Sequence, residues 1–418
     1  MDTSHFLRIK MKHLIGGISS GGRALPEIDG QAFNVARSNG PWLWDSKGVR
    51  YVDTAMGFGA TMLGHAQVEV MEAASAAMLN GPMPSFAHAD EEAAAAALAT
   101  FTGDLSQVIF LNTGSEAVHL ACRTARVATG RQRIVKFAAG YDGWYDSVAF
   151  GNAGQASALM SGTTRPERDG MLLLRYNDFE DAEQLFRDYS DIAALVVEPV
   201  LANAGCIGPA PGYLKHLSDL AHRNGALVIL DEVLMGLRLC PGLTGTLLGA
   251  EPDLATVGKA IGSGIPVAAL VGKPEYMRLF EQGKIVRAGT YSGAPPACAA
   301  VLATLKQLAT ANYAALLTRG DQLRAQVVAA FASKGMAVSS TGYGSVFTLW
   351  PSATPPRTYA DAAHVADSAW TLSLHKALRR ERVMSMPFAF GRTYLTFAHQ
   401  EKALQAVLEG YKAAIASL

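Results

Sequence analysis

Two stretches decide the fold: ALVILDEV, Ala226–Val233, and DLATVGKAIGSG, Asp253–Gly264. Each carries a nearly continuous apolar run that ends on a charged residue, Asp231 in the first and Lys259 in the second. A run without polar alternation fits a strand covered on both faces, as in a parallel sheet flanked by helices. Working outward, Val108–Leu111, Ile134–Phe137, Ala194–Val197, Leu227–Leu230, Leu254–Val257 and Val267–Val271 read as strands of this kind. Ala- and Leu-rich segments between them predict helices at Glu91–Thr100, Glu116–Ala128, Tyr213–Asn224 and Ala297–Ala309. In the second of these, Ala117, Leu120, Ala121, Thr124 and Ala128 recur at helical spacing and predict its buried stripe. Alternation of strand and helix predicts an α/β sheet protein.

Near Ala309 the pattern changes to long helical stretches with short strands at Ser345–Leu349 and Tyr394–Phe397. This predicts a second, smaller domain over 309–418 and a large domain over 55–308. The segment WLWDSKGVRYVD, Trp42–Asp53, reads as a hairpin with its turn at Asp45–Gly48. Residues 1–54 are expected to join the C-terminal lobe.

Composition bounds the function. The chain has 418 residues, 50% of them hydrophobic and 17% charged, which excludes a mostly disordered protein. Lys+Arg and Asp+Glu both total 36, so no global field draws the chain to nucleic acid or an anionic membrane. The four cysteines, Cys122, Cys206, Cys240 and Cys298, lie too far apart for a C-x-x-C metal pattern or a dense disulfide framework. Reduced thiols, no bound metal and a cytoplasmic location are the expectation. The first residues lack a continuous apolar core with a cleavage site, and the apolar stretches elsewhere are too short to span a bilayer.

Three superficial motif matches fail. GISSG, Gly17–Gly21, fits G-x-S-x-G but no strong strand precedes it. Gly258-Lys259 lacks the Ser/Thr and the first glycine of a P-loop, and no G-x-G-x-x-G follows a strand. A better anion site is NTGSEA, Asn112–Ala117, between a predicted strand and a predicted helix. Gly114 permits close backbone approach, and the amides of Ser115 and Glu116 point out of the helix start. An ordinary Ser N-cap meets the same pattern. Glu198 in ALVVEPV and Asp231 stand at strand ends, where an open parallel sheet forms its ligand crevice. Either carboxylate is also suited to capping a helix or pairing with an arginine. Lys259, at the mouth of a buried sheet and before the turn Gly262-Ser263-Gly264, is open to desolvation, which frees its amine for Schiff-base chemistry. A solvated surface lysine is the common alternative. Together, an anion-binding helix start, a strand-end Asp and a strand-end Lys meet the needs of pyridoxal 5'-phosphate.

Beyond these residues, nearly the whole chain resembles the class III aminotransferases of the fold-type I pyridoxal phosphate enzymes, and among them the glutamate-1-semialdehyde aminomutase branch. The resemblance rests on GGISSGGR (Gly16–Arg23), MLGHA (Met62–Ala66), NTGSEA, GYDGWYD (Gly140–Asp146), EPVLANAG (Glu198–Gly205), LDEV (Leu230–Val233), PDLATVGKAIGSGIPVAA (Pro252–Ala269) and GTYSGAPPA (Gly289–Ala297). It implies a mostly parallel, mixed seven-stranded sheet covered by helices, with a smaller α+β domain. It implies that Lys259 forms the Schiff base and carries the proton, that Asp231 pairs with the pyridinium nitrogen and that Tyr141 stacks on the ring. Gly114 and Ser115 would bind the phosphate, and Glu198 with Asn203 would border the ring hydroxyl. Val233 would complete the cofactor contacts. Thr290 resembles the residue that reaches the phosphate of the neighbouring subunit, which implies a homodimer. Arg23 with Ser20 matches the carboxylate clamp of the aminomutase branch.

Four departures touch the substrate side. Asp142 follows the stacking tyrosine where the family usually has His, and Ala294 replaces the usual Asn. Phe58 stands where the aminomutases tend to have Trp. Gly391 and Arg392 stand where they carry an acidic residue and a small one. Asp142 and Arg392 are therefore expected to contact substrate, unless they pair with each other or Arg392 faces solvent. The leading expectation is an aminotransferase that takes the amino group from a glutamate- or alanine-type donor and passes it to a carbonyl acceptor. An aminomutase or epimerase acting within one substrate is the second reading, and a catalytically silent sensor or scaffold the third.

Overall fold

The computed structural model describes residues 13–153 and 167–418. Its first strands are β1 (Val35–Asn39), β2 (Trp42–Asp45) and β3 (Arg50–Asp53). The β2–β3 pair is the expected hairpin. Asp45 Oδ1 accepts from the amides of Lys47 and Val49, both at 2.9 Å, and Gly48 closes the turn with φ at +81°.

The apolar runs then build one large sheet from β4 (Gln107–Leu111), β5 (Arg133–Phe137), β6 (Glu167–Arg168), β7 (Met171–Leu174), β8 (Ile192–Val197), β9 (Leu227–Glu232), β10 (Leu254–Val257) and β11 (Ala268–Gly272). Their spatial order is β4-β11-β10-β9-β8-β5-β7-β6. The run from β10 to β7 is parallel, and β11 lies antiparallel between β10 and β4. Seven strands form the mixed sheet that was expected, and the two-residue β6 extends one edge. Both faces are covered: Val135, Leu195 and Val228 enter one core cluster, whereas Ile134, Val196 and Ile229 enter another. Two-sided burial is why these strands read as continuous apolar runs.

The strand β7, sequence MLLL, was not anticipated. Met and Leu carry no β-branch, so only burial between β5 and β6 makes this segment a strand. The helix Gly114–Thr129 buries Ala117, Leu120, Ala121 and Thr124 against the sheet, while Ala128 at its far end is half-buried.

Further strands are β12 (Ser339–Tyr343), β13 (Val346–Trp350), β14 (Val383–Met384) and β15 (Thr393–Tyr394). Strands β12, β13 and β15 form a three-stranded sheet, while β14 adds in parallel to β3 and so joins the N-terminal hairpin to the C-terminal chain. The strand expected over Tyr394–Phe397 is a correction: pairing stops at Tyr394. Beyond it the Leu395 amide donates to Ser345 and the Phe397 amide to Met62, so the chain crosses between elements instead of following one partner.

Candidate active site

Strands β9 and β10 run parallel, with Thr256 in register with Asp231 and Val257 with Glu232. Their carboxyl ends therefore bring Asp231 and Lys259 to the same edge of the sheet. Asp231 Oδ1 accepts from the Val233 amide at 3.0 Å and from Thr256 Oγ1 at 3.3 Å. Lys259 leaves its strand with φ at +42°, a strained left-handed conformation for a side chain of this size. It then opens the short 3-10 turn Lys259–Gly262.

The helix Gly114–Thr129 starts at this edge. Its N-cap is Thr113: Thr113 Oγ1 accepts from the Glu116 amide, and Glu116 Oε2 accepts from the amides of Asn112 and Thr113 at 2.8 and 3.0 Å. This reciprocal box, legible as T-x-x-E, shows that Ser115 is not the cap. Gly114 and Ser115, in the first turn, line the cavity, and their amides have no intrahelical acceptor.

A cavity of about 390 Å³ collects Gly114, Ser115, Tyr141, Asp142, Glu198, Asn203, Asp231, Val233 and Lys259. Glu198, just beyond β8, accepts the Tyr141 amide at 2.8 Å on Oε1 and faces Asn203 Nδ2 at 3.3 Å on Oε2. The remaining expected residues do not line this cavity. Ser20 and Arg23 are exposed. Phe58 is half-buried with φ at +58°, and a Cβ added to Gly22 would lie 3.6 Å from its ring. Thr290 is exposed.

Asp142 lines the cavity and Arg392 does not. They do not pair with each other, and neither is a free surface charge. Asp142 is 3% exposed and lies 3.2 Å from the ammonium of Lys136, a fully buried lysine that the sequence reading missed. Arg392 donates from Nε to the Tyr394 hydroxyl at 2.7 Å and from a terminal nitrogen to the Ala202 carbonyl at 3.1 Å. Also missed were Trp144, exposed at the cavity, and the fully buried Arg238, which bonds the carbonyls of Gly59 and Leu234. A lone Lys or Arg in an apolar segment carries no signal of its partner, whereas the Thr113–Glu116 spacing was readable.

Burial dominates the electrostatics. It pulls the Lys259 amine down to about 8, against the opposing pull of Asp231. Burial, then the nearby charges of Asp142 and Glu198, raise Asp231 well above the carboxylate range. Glu198 is pushed up to about 7 by burial and by Asp142. At the helix start, a Cβ on Gly143 would come within 2.9 Å of Ser115 Oγ, so the backbone forms a tight cradle beside free amides. An anion cradle, an amine, an aromatic ring and a buried strand-end acid together fit pyridoxal phosphate.

A family model, Aminotransferase class-III, matches residues 26–339. The chain is 36% identical over 405 residues to the glutamate-1-semialdehyde 2,1-aminomutase of Nitratidesulfovibrio vulgaris, covering 95% of each. Among solved structures it resembles an omega-transaminase from Sphaerobacter thermophilus at 27% identity and a TM-score of 0.87, covering 97% of this chain and 94% of that one. It also resembles a β-phenylalanine aminotransferase from Variovorax paradoxus at 30% identity and a TM-score of 0.86, covering 97% and 91%. The chain belongs to the class III aminotransferases, a family of pyridoxal-phosphate-dependent enzymes.

Proposed function

We propose that this enzyme is an aminotransferase, moving an amino group from a glutamate- or alanine-type donor to a carbonyl acceptor. The observation that carries the reading is the placement of an amine, Lys259, and a buried carboxylate, Asp231, at adjacent strand ends in one cavity with the helix start at Gly114 and Ser115. When bound, pyridoxal phosphate supplies an electron sink for the substrate carbon. In this reading Lys259 anchors the cofactor and then carries the proton, a task suited to an amine near 8. Asp231 holds the ring nitrogen protonated, and Val233 and Thr256 hold Asp231. The Gly114 and Ser115 amides take the phosphate, and Tyr141 covers the ring. Glu198, tied to the Tyr141 amide and to Asn203, orients the ring hydroxyl. Arg23 and Arg392 are the proposed carboxylate-binding groups for substrate, with Ser20 and Phe58 beside them. A homodimer in the cytoplasm, with Thr290 reaching the neighbouring site, completes the reading; the exposure of Thr290 supports it.

Relatedness to an aminomutase over 95% of both chains favours a second reading, in which the amine returns to the same molecule. One experiment separates them. The holoenzyme is offered a panel of amino acids without acceptor while its visible absorbance is followed, and then glutamate-1-semialdehyde without donor. Net loss of the cofactor band with glutamate or alanine supports transfer. Efficient isomerisation of the semialdehyde with no added donor overturns it.

A further inference from the structure

The loop that carries Tyr141 is built around an ion pair the sequence does not announce. Lys136, on β5, is fully buried, and its ammonium donates to the carbonyls of Gly140, at 2.9 Å, and Val148 and to Asn152 Oδ1, at 2.7 Å. Those three acceptors use all three of its protons. The fourth neighbour, Asp142 Oδ2 at 3.2 Å, is held by charge alone, and neither Asp142 oxygen accepts a hydrogen bond among the described residues. The pair is also oriented: Asp142 lines the cavity, whereas Lys136 does not. Both Asp142 carboxylate oxygens are buried, so the pair sits in the wall of the cavity. Asp142 holds this position with φ at +44°, a conformation disfavoured for Asp outside tight turns. Its Oδ2 and Glu198 Oε1 both lie around Gly140, where an added Cβ would meet them at 2.9 and 3.6 Å.

We infer that the Lys136–Asp142 pair is a positioning device of the active site: it fixes the Tyr141 loop and sets a carboxylate in the cavity wall beside Glu198, favouring the protonated state of the bound cofactor. The inference rests on the reading that Asp231 pairs with the cofactor nitrogen. Asp142 acts beside Asp231 and Glu198, whose proton affinities its charge raises. Opposing charges come from Lys259 and, through Glu198, Arg392. Cys122 and Tyr145 also face Asp142, and burial keeps both in their neutral forms at ordinary pH. Asp142 is thus the acid of this group that has its own counter-ion, the Lys136 ammonium.

The test is a pH titration of the cofactor absorbance in holoenzyme, with cofactor dissociation measured in parallel by dialysis. Asp142→Asn removes the negative end. The protonation midpoint of the bound cofactor is expected to fall by about one pH unit, a roughly tenfold loss of proton affinity, with weaker cofactor retention. Lys136→Met combined with Asp142→Asn removes both charges without stranding the lysine, and is expected to shift the midpoint in the same direction by less. An unshifted midpoint in whichever of these variants folds overturns the inference. Asp231→Asn is the control. If it too leaves the midpoint and cofactor retention unchanged, the assignment of Asp231 is what has failed. If Asp231→Asn shifts them and the Asp142 variants do not, only the role of the ion pair is lost.

Discussion

At Lys259 a single amine carries the proposed chemistry, and its environment sets a pH dependence. Burial brings it from 10.5 to about 8, so the neutral, nucleophilic form dominates above about 8. The rate at which cofactor-free protein captures pyridoxal phosphate should therefore rise with pH and level off just above 8. A rise continuing toward 10.5, followed by absorbance after rapid mixing, would show an ordinary lysine. Lys259→Ala should fold but lose the visible band of the bound cofactor, and Asp231→Asn should keep the band and lose several orders of magnitude in turnover. Glu232 gives a stability prediction. Burial raises its carboxyl to about 8, and Oε2 finds no partner among the described residues. The folded state thus binds more protons than the unfolded state between about 4.5 and 8, and stability falls as pH rises through that window. Glu232→Gln escapes this loss. Its advantage over the wild type, read from urea unfolding midpoints, should be small near pH 4.5 and reach a few kcal/mol near pH 8. The strand-end positions of Asp231 and Lys259 were legible because each closes an apolar run; the ionisation of both depends on neighbours distant in sequence.

The helix Gly114–Thr129 shows how an element's start is shaped by its neighbour. A Cβ on Gly114 would lie 2.7 Å from Val233 Cγ1 and 2.9 Å from Cγ2. Alanine is a good helix former, so Gly114→Ala should leave the fold intact. Its methyl must instead displace Val233 or move the helix start, and cofactor affinity should drop about tenfold or more, by overpacking of 1–3 kcal/mol. Adding Val233→Ala should restore most of it in an equilibrium dialysis measurement. A defect unchanged in the double variant would trace the loss to backbone freedom at Gly114 instead of crowding. The helix and its apolar stripe were readable from periodicity, and its capping box from spacing. The contact with Val233 was not, since it joins the start of this helix to the end of β9.

For the whole molecule, the exposure of Thr290 away from its own chain's cavity predicts that it acts across a subunit interface. In hybrids of a Lys259→Ala chain with a Thr290→Ala chain, one site would carry both lesions and the other none, so mixing should recover activity that neither parent has. No recovery, measured on separated hybrid dimers, would count against the assignment. The N-terminal hairpin and its docking on β14 tie the two ends of the chain into one body. By itself the sequence determined the local features: apolar runs that must be buried on both faces, a helix start poised for an anion, and charged residues where strands end. These follow from period, turn chemistry and spacing, which act over a few residues. Only the tertiary structure decided that MLLL becomes a strand, that Tyr394–Phe397 does not continue as one, and that Asp142 turns inward onto Lys136 while Arg392 turns to Tyr394 and Ala202. Each of these depends on which elements meet in space, and a buried charge takes whatever partner the strand order sets beside it.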